Sequence, residues 1–310
     1  MKALIIHFSQ TGNTRKIAEC IHQGILDAGG ACDMKPMREV ETGIVGHYDV
    51  VGIGAPVFYY KEPFNVTDFI NALPDLHEQP WFVFCTHGNV IGNFFPSMTE
   101  ILRKRGARVI GYYNSYADIM VPFYPRHSYT SGHPDLYDLE KAKLFGSNMI
   151  KIMKELIAHQ HDAIDESFPI SSEEWILDSH RLTREALKAN LPKLNLNRDT
   201  CILCGECQDE CPVQGIDVNA EPPRIQDPCI YCFRCVNVCP TLSIQGDWDF
   251  MVRMAPANYE RYKKELDKAA ARGEFRWLMD PETLDLGMPF HKQRERELGT
   301  TPEQKDDLEK

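Results

Sequence analysis

Apolar runs alternate with amphipathic stretches along the first half of the chain, and this alternation predicts its secondary structure. Short continuous apolar runs are typical of buried parallel strands, and they occur at residues 2–8, 32–36, 50–54, 81–86 and 108–113. Helical spacing of apolar residues follows residue 14 and recurs at 63–73, 95–105 and 137–158. Five strands that alternate with helices over about 150 residues predict an α/β fold with a doubly wound, five-stranded parallel sheet.

The second half is set apart by its cysteines, because it contains eight of the eleven in the chain. They form two copies of a C-x2-C-x2-C-x3-C-P repeat: Cys201, Cys204, Cys207 and Cys211 before Pro212, and Cys229, Cys232, Cys235 and Cys239 before Pro240. Three thiols at this spacing can wrap a loop around one metal cluster, and the fourth ligand then comes from elsewhere. Zinc sites and disulfides are the alternatives. Zinc usually takes two C-x2-C pairs separated by a longer gap, and a reducing compartment disfavours disulfides.

This repeat is similar to that of bacterial two-cluster ferredoxins, in which the fourth cysteine of each run binds the other cluster. The resemblance implies two [4Fe-4S] clusters. The first would be bound by Cys201, Cys204, Cys207 and Cys239, and the second by Cys229, Cys232, Cys235 and Cys211. The crossed ligands would join both loops into a small unit whose core is metal-based rather than hydrophobic. The three remaining cysteines fit packing positions on a helix face and two strands: Cys20, Cys32 and Cys85.

The segment SQTGNT at residues 9–14 lies between the first predicted strand and the first predicted helix. A loop rich in hydroxyls and glycine at a helix N-terminus can bind phosphate through backbone N–H groups and the helix dipole. The segment is neither a Walker loop nor a G-x-G-x-x-G dinucleotide motif. It contains no basic residue, which suits a monophosphate held by neutral donors. The alternative is an ordinary strand–helix turn in which threonine and asparagine cap the helix.

Two further loops follow the third and fourth predicted strands, at residues 55–62 (APVFYYKE) and 87–93 (HGNVIGN). Ligands of parallel sheets bind at the carboxyl ends of the strands, so these loops share an edge with residues 9–14. The first loop offers the aromatic faces of Phe58, Tyr59 and Tyr60. In the second loop, Gly88 and Gly92 allow the backbone to approach a planar ring closely.

A long loop at residues 114–136 is expected at the same edge. Long loops in compact domains are usually functional or mobile. Its Tyr116, Phe123, Tyr124 and His127 would cover a bound ring or line a substrate pocket. The alternative is a surface flap packed on the sheet.

The strand followed by Ser9-x-Thr11-Gly12-Asn13-Thr14 resembles the FMN phosphate loop of flavodoxins, and the two later loops resemble their flavin-ring loops. The whole chain resembles flavodoxin–ferredoxin fusions, sometimes called ferrodoxins, over residues 1–158 and 199–246. The resemblance implies that FMN phosphate is bound by Ser9, Thr11, Gly12, Asn13 and Thr14. The flavin ring would be flanked by Pro56, Val57, Phe58, Tyr59, Thr86, His87, Gly88 and Asn89. The second ring loop lacks the aromatic residue that many flavodoxins stack on the flavin, so no residue is assigned to the outer face.

The chain accordingly divides into four predicted parts. These are a flavodoxin-like FMN domain at 1–158, a helical linker at 159–198, a small α+β 2[4Fe-4S] ferredoxin-like domain at 199–246 and a C-terminal helical extension at 247–310. The linker and the extension carry no recognisable motif.

Composition and charge bear on the compartment of the protein and on the class of its partners. No apolar run reaches the 18–20 or so residues that span a membrane, and the N-terminus turns polar by Ser9, too early for a signal peptide. We therefore expect a cytoplasmic protein without membrane insertion. The net charge of −11 disfavours nucleic acid as a partner. Within 199–246, seven acids stand against two arginines, a balance that favours a basic redox partner: Asp199, Glu206, Asp209, Glu210, Asp217, Glu221 and Asp227, with Arg224 and Arg234.

Two functions remain open from the sequence. An electron-transfer carrier would exchange low-potential electrons with redox partner proteins, whereas a ferredoxin-fed FMN-dependent reductase would act on a small molecule. The chain shows no nicotinamide fingerprint and no acid–base or nucleophile constellation, so no catalytic residue is assigned and the carrier is favoured. Whether the protein is an enzyme stays open, as does a homodimer in which FMN of one subunit would face a cluster of the other.

Overall fold

The computed structural model describes residues 1–158, 167–226 and 228–299. Three predictions therefore extend outside the described residues: part of the linker (159–166), Asp227 of the acidic set, and the end of the extension (300–310). The described chain forms two compact units. The first contains residues 1–118, 132–158 and 167–183, and the second contains 119–131, 184–226 and 228–299.

A five-stranded parallel sheet is the centre of the first unit, which confirms the predicted α/β fold. Its order is β2-β1-β3-β4-β5. The strands are β1 (Lys2–His7), β2 (Ala31–Pro36), β3 (Val50–Pro56), β4 (Pro80–His87) and β5 (Arg108–Tyr116). Strand β2 lies on one side of β1 and the later strands lie on its other side, so the strand order reverses between β1 and β3. Flavodoxin-like sheets bind their ligand at this switch point.

Helices cover both faces of this sheet: α1 (Asn13–Asp27), α2 (Phe64–Asn71), α3 (Phe94–Lys104), α4 (Leu136–Ile157) and α5 (Glu173–Arg181). On one face, Ile17 and Ile21 of α1 and Met149 of α4 pack with Phe82 and Phe84 of β4 in a single buried cluster. Glycines allow α1 and α4 to touch, because a Cβ at Gly24 or Gly146 would overlap the backbone of the other helix. The Ser147 hydroxyl fixes this contact by donating to the Gly24 carbonyl at 2.9 Å.

Strand β5 is longer than predicted, and this changes the long loop. Asn114, Ser115 and Tyr116 were expected in the loop 114–136, but they pair with Cys85, Thr86 and His87 of β4. Their polar side chains gave no apolar run, so the sequence pattern ended the strand too early. Residues 119–131 then belong to the second unit rather than to the sheet.

The second unit combines very short strands with two longer helices. It contains two antiparallel strand pairs. In one, β6 (Asn195–Leu196) pairs with β9 (Ile244–Gln245), and in the other, β7 (Ile216–Asp217) pairs with β8 (Arg224–Ile225). Its helices are α6 (Arg184–Asn190), α7 (Glu206–Asp209), α8 (Arg234–Val238), α9 (Asp249–Ala271) and α10 (Phe290–Glu297). The small ferredoxin-like region and the helical extension are thus both present as predicted.

Residues 119–131 supply part of the core of this unit. Phe123 is buried, and its ring centroid lies 5.6 Å from that of Phe233 and 5.9 Å from that of Trp248. Tyr124 packs against Tyr259 of α9 at 5.1 Å. Phe123 and Tyr124, which were expected to cover a ligand or pack on the sheet, therefore pack against the cysteine repeat and the C-terminal extension.

None of the helices within the described ranges has the length and apolar character needed to cross a bilayer. The expected linker is divided between the units, with residues 167–183 in the first and 184–198 in the second.

Phe123→Ala should loosen the second unit although the residue lies between β5 and α4 in the chain. Loss of a buried phenylalanine costs about 3–5 kcal/mol of unfolding free energy. We expect faster amide hydrogen exchange around Phe233 and Trp248 and unchanged exchange in β4, measured by mass spectrometry on the full chain. Phe250→Ala is the control, because Phe250 is 59% exposed on α9. Faster exchange confined to the sheet would contradict the assignment of residues 119–131.

Candidate functional site

The loops at the carboxyl edge of the sheet are joined to one another by backbone hydrogen bonds. The Val57 N–H donates to the Thr86 carbonyl at 2.8 Å, and the Asn93 N–H donates to the Tyr60 carbonyl at 2.7 Å. After β5, the Ala117 N–H donates to the His87 carbonyl at 2.8 Å. The loops following β3, β4 and β5 therefore form one connected surface at the edge where parallel sheets bind ligands.

The loop between β1 and α1 presents the N-terminus of a helix without a side-chain cap. Gly12 occupies the N-cap position with φ +93°, and the first turn of α1 contains no acid. The Ser9 hydroxyl accepts a hydrogen bond from the Arg15 N–H at 3.2 Å. Neither threonine nor asparagine caps the helix, so the alternative of an ordinary capped turn is not what the structure shows. The positive end of α1 faces a loop of neutral donors, which suits an anion.

Side chains of Asn13 and Thr14 join this loop to the rest of the edge. The Thr14 and Thr86 hydroxyls lie 2.7 Å apart and are buried. The Asn13 amide donates to the Asp118 carbonyl at 3.1 Å. Residues expected to bind phosphate are thus held by Thr86 at the end of β4 and by Asp118, which follows β5.

The first ring loop is a tight turn with a strained backbone. Phe58 and Lys61 exchange two backbone hydrogen bonds of 2.9 and 3.0 Å around Tyr59 and Tyr60. Both tyrosines have positive φ, +52° and +63°, which is unfavourable for residues other than glycine. Such strain persists where neighbouring structure enforces it, and it is common at ligand sites. Pro56 and Val57 precede this turn at the end of β3 and are half-buried, like Phe58.

The second ring loop begins with three buried residues, Thr86, His87 and Gly88, followed by half-buried Asn89. The His87 ring bonds through Nε2 to the Asn114 Oδ1 at 3.1 Å and packs on Tyr116 at 4.4 Å between centroids. Burial lowers the pKa of His87 to about 4, so this imidazole is neutral at pH 7. Its buried Nδ1 has no hydrogen-bond partner within the described part of the chain.

Residues 167–183 contact these loops, and the sequence interpretation did not include them in the site. The Ser171 hydroxyl accepts from the Gly92 N–H at 2.8 Å, and the His180 ring lies 3.2 Å from the Asn93 amide. Trp175 is buried, and its ring packs on Tyr60 at 5.0 Å. An isolated tryptophan in a polar stretch was the available signal, because such a large apolar side chain needs a surface to pack on.

The eight repeat cysteines line two cavities in the second unit. One is lined by Cys201, Cys204, Cys207 and Cys239, together with Leu196 and Ile244. The other is lined by Cys211, Cys229, Cys232 and Cys235, together with Ile216 and Phe233. Each cavity thus receives three cysteines from one copy of the repeat and one from the other. All eleven cysteines of the chain are free thiols.

The two copies of the repeat have the same backbone path. Three pairs of residues 28 positions apart have the same left-handed backbone conformation with positive φ: Leu203 and Tyr231, Gly205 and Phe233, and Gln214 and Leu242. The correspondence extends to hydrogen bonds on sulfur, because the Gly215 N–H donates to Cys211 Sγ at 3.2 Å and the Ser243 N–H donates to Cys239 Sγ at 3.1 Å. The sequence repeat is therefore a structural repeat.

Burial and hydrogen bonding shift the pKa values of several cysteines in these cavities. Burial, joined by the neighbouring thiols Cys239, Cys204 and Cys201, raises the pKa of Cys207 to about 11. Burial also raises the pKa of Cys232 to about 12. At Cys239, burial would raise the pKa, but hydrogen bonds to its sulfur outweigh burial and lower it. Burial and the neighbouring thiols thus oppose the formation of several thiolates in one cavity, and a bound metal would compensate their charge.

Both sets of residues fit the groups that the sequence resemblance implies. Four sulfur donors around one cavity are the ligand set of a [4Fe-4S] cluster, and N–H donors to sulfur are among the protein groups that adjust such clusters. The uncapped N-terminus of α1 fits the phosphate of FMN. The remaining cysteines, Cys20, Cys32 and Cys85, take no part in either set. Cys85 is fully buried, and the other two pack against the core of the first unit.

Thr14→Val should weaken FMN binding about tenfold, because it leaves the buried Thr86 hydroxyl without a partner and loosens the phosphate loop from β4. The dissociation constant is measured by quenching of FMN fluorescence on the apoprotein. Thr99→Val is the matched control, since it removes a similar bond, 2.9 Å long, between Thr99 and Tyr112 in the same unit. Equal weakening by both variants would show a general loss of stability rather than a role in binding.

Comparison with known proteins agrees with this geometry. A flavodoxin domain model matches residues 4–93, and a 4Fe-4S dicluster domain model matches residues 193–240. An uncharacterized protein of Methanocaldococcus jannaschii is 26% identical over 159 residues, which are 49% of this chain and 99% of that protein.

Solved structures of flavodoxins are also similar to part of the chain. A flavodoxin from the domain Archaea has a TM-score of 0.40 and 21% identity, covering 50% of this chain and 99% of that one. Megasphaera elsdenii flavodoxin has a TM-score of 0.38 and 19% identity, and the match covers 47% of this chain and 98% of that one. Flavodoxin 1 of Bacillus cereus has a TM-score of 0.38 and 21% identity, covering 49% and 98%.

A flavodoxin domain implies FMN, and a 4Fe-4S domain implies an iron–sulfur cluster. The two domain matches lie in one chain, the first on the parallel sheet and the second on the cysteine repeat. The chain therefore combines a region that matches a flavodoxin domain with a region that matches a 4Fe-4S dicluster domain, and this combination supports an electron-transfer flavo-iron–sulfur protein.

Proposed function

We propose that the protein is an electron carrier that passes electrons between FMN and two [4Fe-4S] clusters and exchanges them with redox partner proteins. The observation that carries this proposal is the pair of cavities, each lined by four cysteines of a crossed repeat. FMN exchanges one or two electrons and a [4Fe-4S] cluster exchanges one, so together they connect two-electron and one-electron donors. Cys239 would complete the cluster of the first copy, and Cys211 that of the second.

The carrier is favoured over the reductase by where the remaining residues pack. The loop at 114–136 and the C-terminal extension are more than a simple carrier needs, and a reductase would use such segments around its substrate. Phe123 and Tyr124 of that loop pack within the second unit, and Trp277 of the extension packs on Phe275 at 5.0 Å and on Tyr129 at 5.6 Å. These segments therefore have a structural role that needs no substrate. We propose no catalytic residue.

The first copy of the repeat is the side that we assign to partner proteins. Ile202 and Leu203 are 63% and 53% exposed, whereas the equivalent Ile230 and Tyr231 are 2% and 7% exposed. Cys204 is also exposed. Short distance is essential for electron exchange, so the uncovered cluster loop is the natural point of contact. A cytoplasmic location and a homodimer stay predictions from the sequence.

Exposed acids near this loop define the kind of partner. Asp199, Glu206 and Asp209 are exposed and flank the first cysteines, while Glu210 is paired with Arg234 at 2.9 Å. An apolar tip within an acidic rim fits a redox protein that carries a basic rim, and such attraction increases the rate of encounter.

Cysteine substitutions test the two clusters and their crossed ligands. We expect about eight irons per chain in anaerobically purified protein. Cys239→Ala should change the same electron paramagnetic resonance (EPR) signal as Cys204→Ala, while Cys232→Ala changes the other signal. Cys20→Ala is the control and should leave iron and spectrum unchanged.

Two results would overturn this proposal. About four irons in the unaltered chain would exclude a second cluster, and a Cys239→Ala spectrum that matches Cys232→Ala would exclude the crossed ligands. Turnover of a small molecule by the purified protein, with no partner added, would replace the carrier by the reductase.

Salt dependence tests the acidic face. Reduced protein should transfer electrons to cytochrome c, a basic one-electron acceptor, at a rate that falls as ionic strength rises. Asp209→Asn should reduce both the rate at low salt and its dependence on salt, measured by stopped-flow absorbance. Glu140→Gln on α4 removes the same charge from an exposed position in the first unit and should change neither. Equal effects of the two variants would show attraction by net charge alone.

A further inference from the structure

Helix α10 of the C-terminal extension contacts residues 119–131 and the end of the second cysteine repeat. Its first residues are fixed to residues 119–131, because the Phe290 N–H donates to the Tyr124 carbonyl at 2.8 Å and the His291 N–H donates to the Pro122 carbonyl at 3.0 Å. One turn later, Arg294 extends its guanidinium toward α8. The extension thus brings a cation to the cysteine repeat.

The Arg294 guanidinium donates three hydrogen bonds to carbonyl groups at the end of α8. Nη1 donates to the Val236 carbonyl at 3.1 Å and to the Asn237 carbonyl at 3.0 Å, and Nη2 donates to the Cys239 carbonyl at 2.8 Å. The last carbonyls of a helix lack partners within the helix and carry its negative dipole end. Arg294 satisfies them and places a full positive charge on the backbone of Cys239.

The surroundings of Arg294 strengthen its electrostatic effect. It lines a small cavity with the apolar side chains of Val236, Leu242, Ile244 and Trp248. Burial lowers the pKa of Arg294, but a guanidinium keeps its proton in proteins. Charges act over a longer range in such surroundings than in water. The other charged groups that act on Arg294 are Glu206, Glu297 and Arg126.

We propose that Arg294 raises the reduction potential of the cluster bound by Cys201, Cys204, Cys207 and Cys239 relative to that of the other cluster. Reduction adds one electron, and hence one negative charge, to the cluster, and a fixed cation beside a ligand favours the more negative state. This inference rests on the proposed pair of clusters. It makes Arg294 a positioning residue that acts through Cys239, and it gives the C-terminal extension a redox role.

The competing interpretation is that Arg294 only caps α8. A cap contributes to stability, and its loss would lower the melting temperature without a selective effect on one cluster. Reduction potential is therefore the measurement that separates the two roles.

The test is an EPR-monitored redox titration of the full chain with dithionite, comparing the two cluster signals. In Arg294→Gln we expect the reduction equilibrium constant of the Cys239-containing cluster to fall about tenfold, a shift of about 59 mV for one electron, and that of the other cluster to change much less. Arg294→Lys should lie between this variant and the unaltered protein, because it keeps the charge but loses the forked geometry. Arg296→Gln is the matched control: it removes the same charge from an exposed position on the same helix.

Each outcome decides one point. Equal shifts of both clusters in Arg294→Gln, or the same shifts in Arg296→Gln, would overturn the proposal and leave Arg294 as a cap. If Arg294→Gln does not retain its clusters, Arg294→Lys still tests selectivity. Absence of two cluster signals in the unaltered protein would instead contradict the proposed function, so the two failures are distinguishable. The affected signal is identified as the one that Cys204→Ala changes.

Discussion

Cys211 and Cys239 each lie in the cavity formed by the opposite copy of the repeat, and this exchange is the constraint on which the second unit depends. Its strands are two residues long, and the helices within the repeat contain four and five residues. Elements of this size bury too little apolar surface to be stable alone. With the crossed ligands that we propose, neither copy could complete its metal site unless the other is folded. The 28-residue correspondence in backbone and in N–H to sulfur bonds follows from that mutual requirement.

A comparable requirement acts on the first unit, where hydrogen bonds rather than metal ligands join the loops. Each strand alone would leave its following loop free to move. The bonds from Val57 to Thr86, from Asn93 to Tyr60 and between the hydroxyls of Thr14 and Thr86 make the edge one surface. The strained turn at Tyr59 and Tyr60 is held within that network. A surface held together by such a network limits the movement of its loops, and binding to constrained loops costs less entropy than binding to mobile ones.

Elements determined by local pattern could be predicted from the sequence, and elements determined by distant contacts could not. Apolar runs placed all five strands, and the resemblance of the cysteine repeat to two-cluster ferredoxins implied the grouping in which the eight cysteines line the two cavities. The predicted end of β5 was wrong, because the polar residues Asn114 and Ser115 belong to the strand only through their pairing with β4. The contacts of Trp175 and Arg294 were not predicted, since their partners, Tyr60 and the carbonyl of Cys239, lie far away in the chain. FMN contacts and cluster ligands stay predictions that rest on residue type and arrangement.

Residues 119–131 and the C-terminal extension, which carry no motif, pack around the second copy of the cysteine repeat. Residues 119–131 place Phe123 against Phe233, which lies between Cys232 and Cys235. The extension adds Trp248 to the same aromatic group and Arg294 to the Cys239 carbonyl. The first copy of the repeat keeps Ile202 and Leu203 exposed, whereas the equivalent Ile230 and Tyr231 of the second copy are buried. Two sequence-related sites thereby acquire different exposure and different charge, and sites that differ in both give electrons a preferred point of exchange where two identical sites would not.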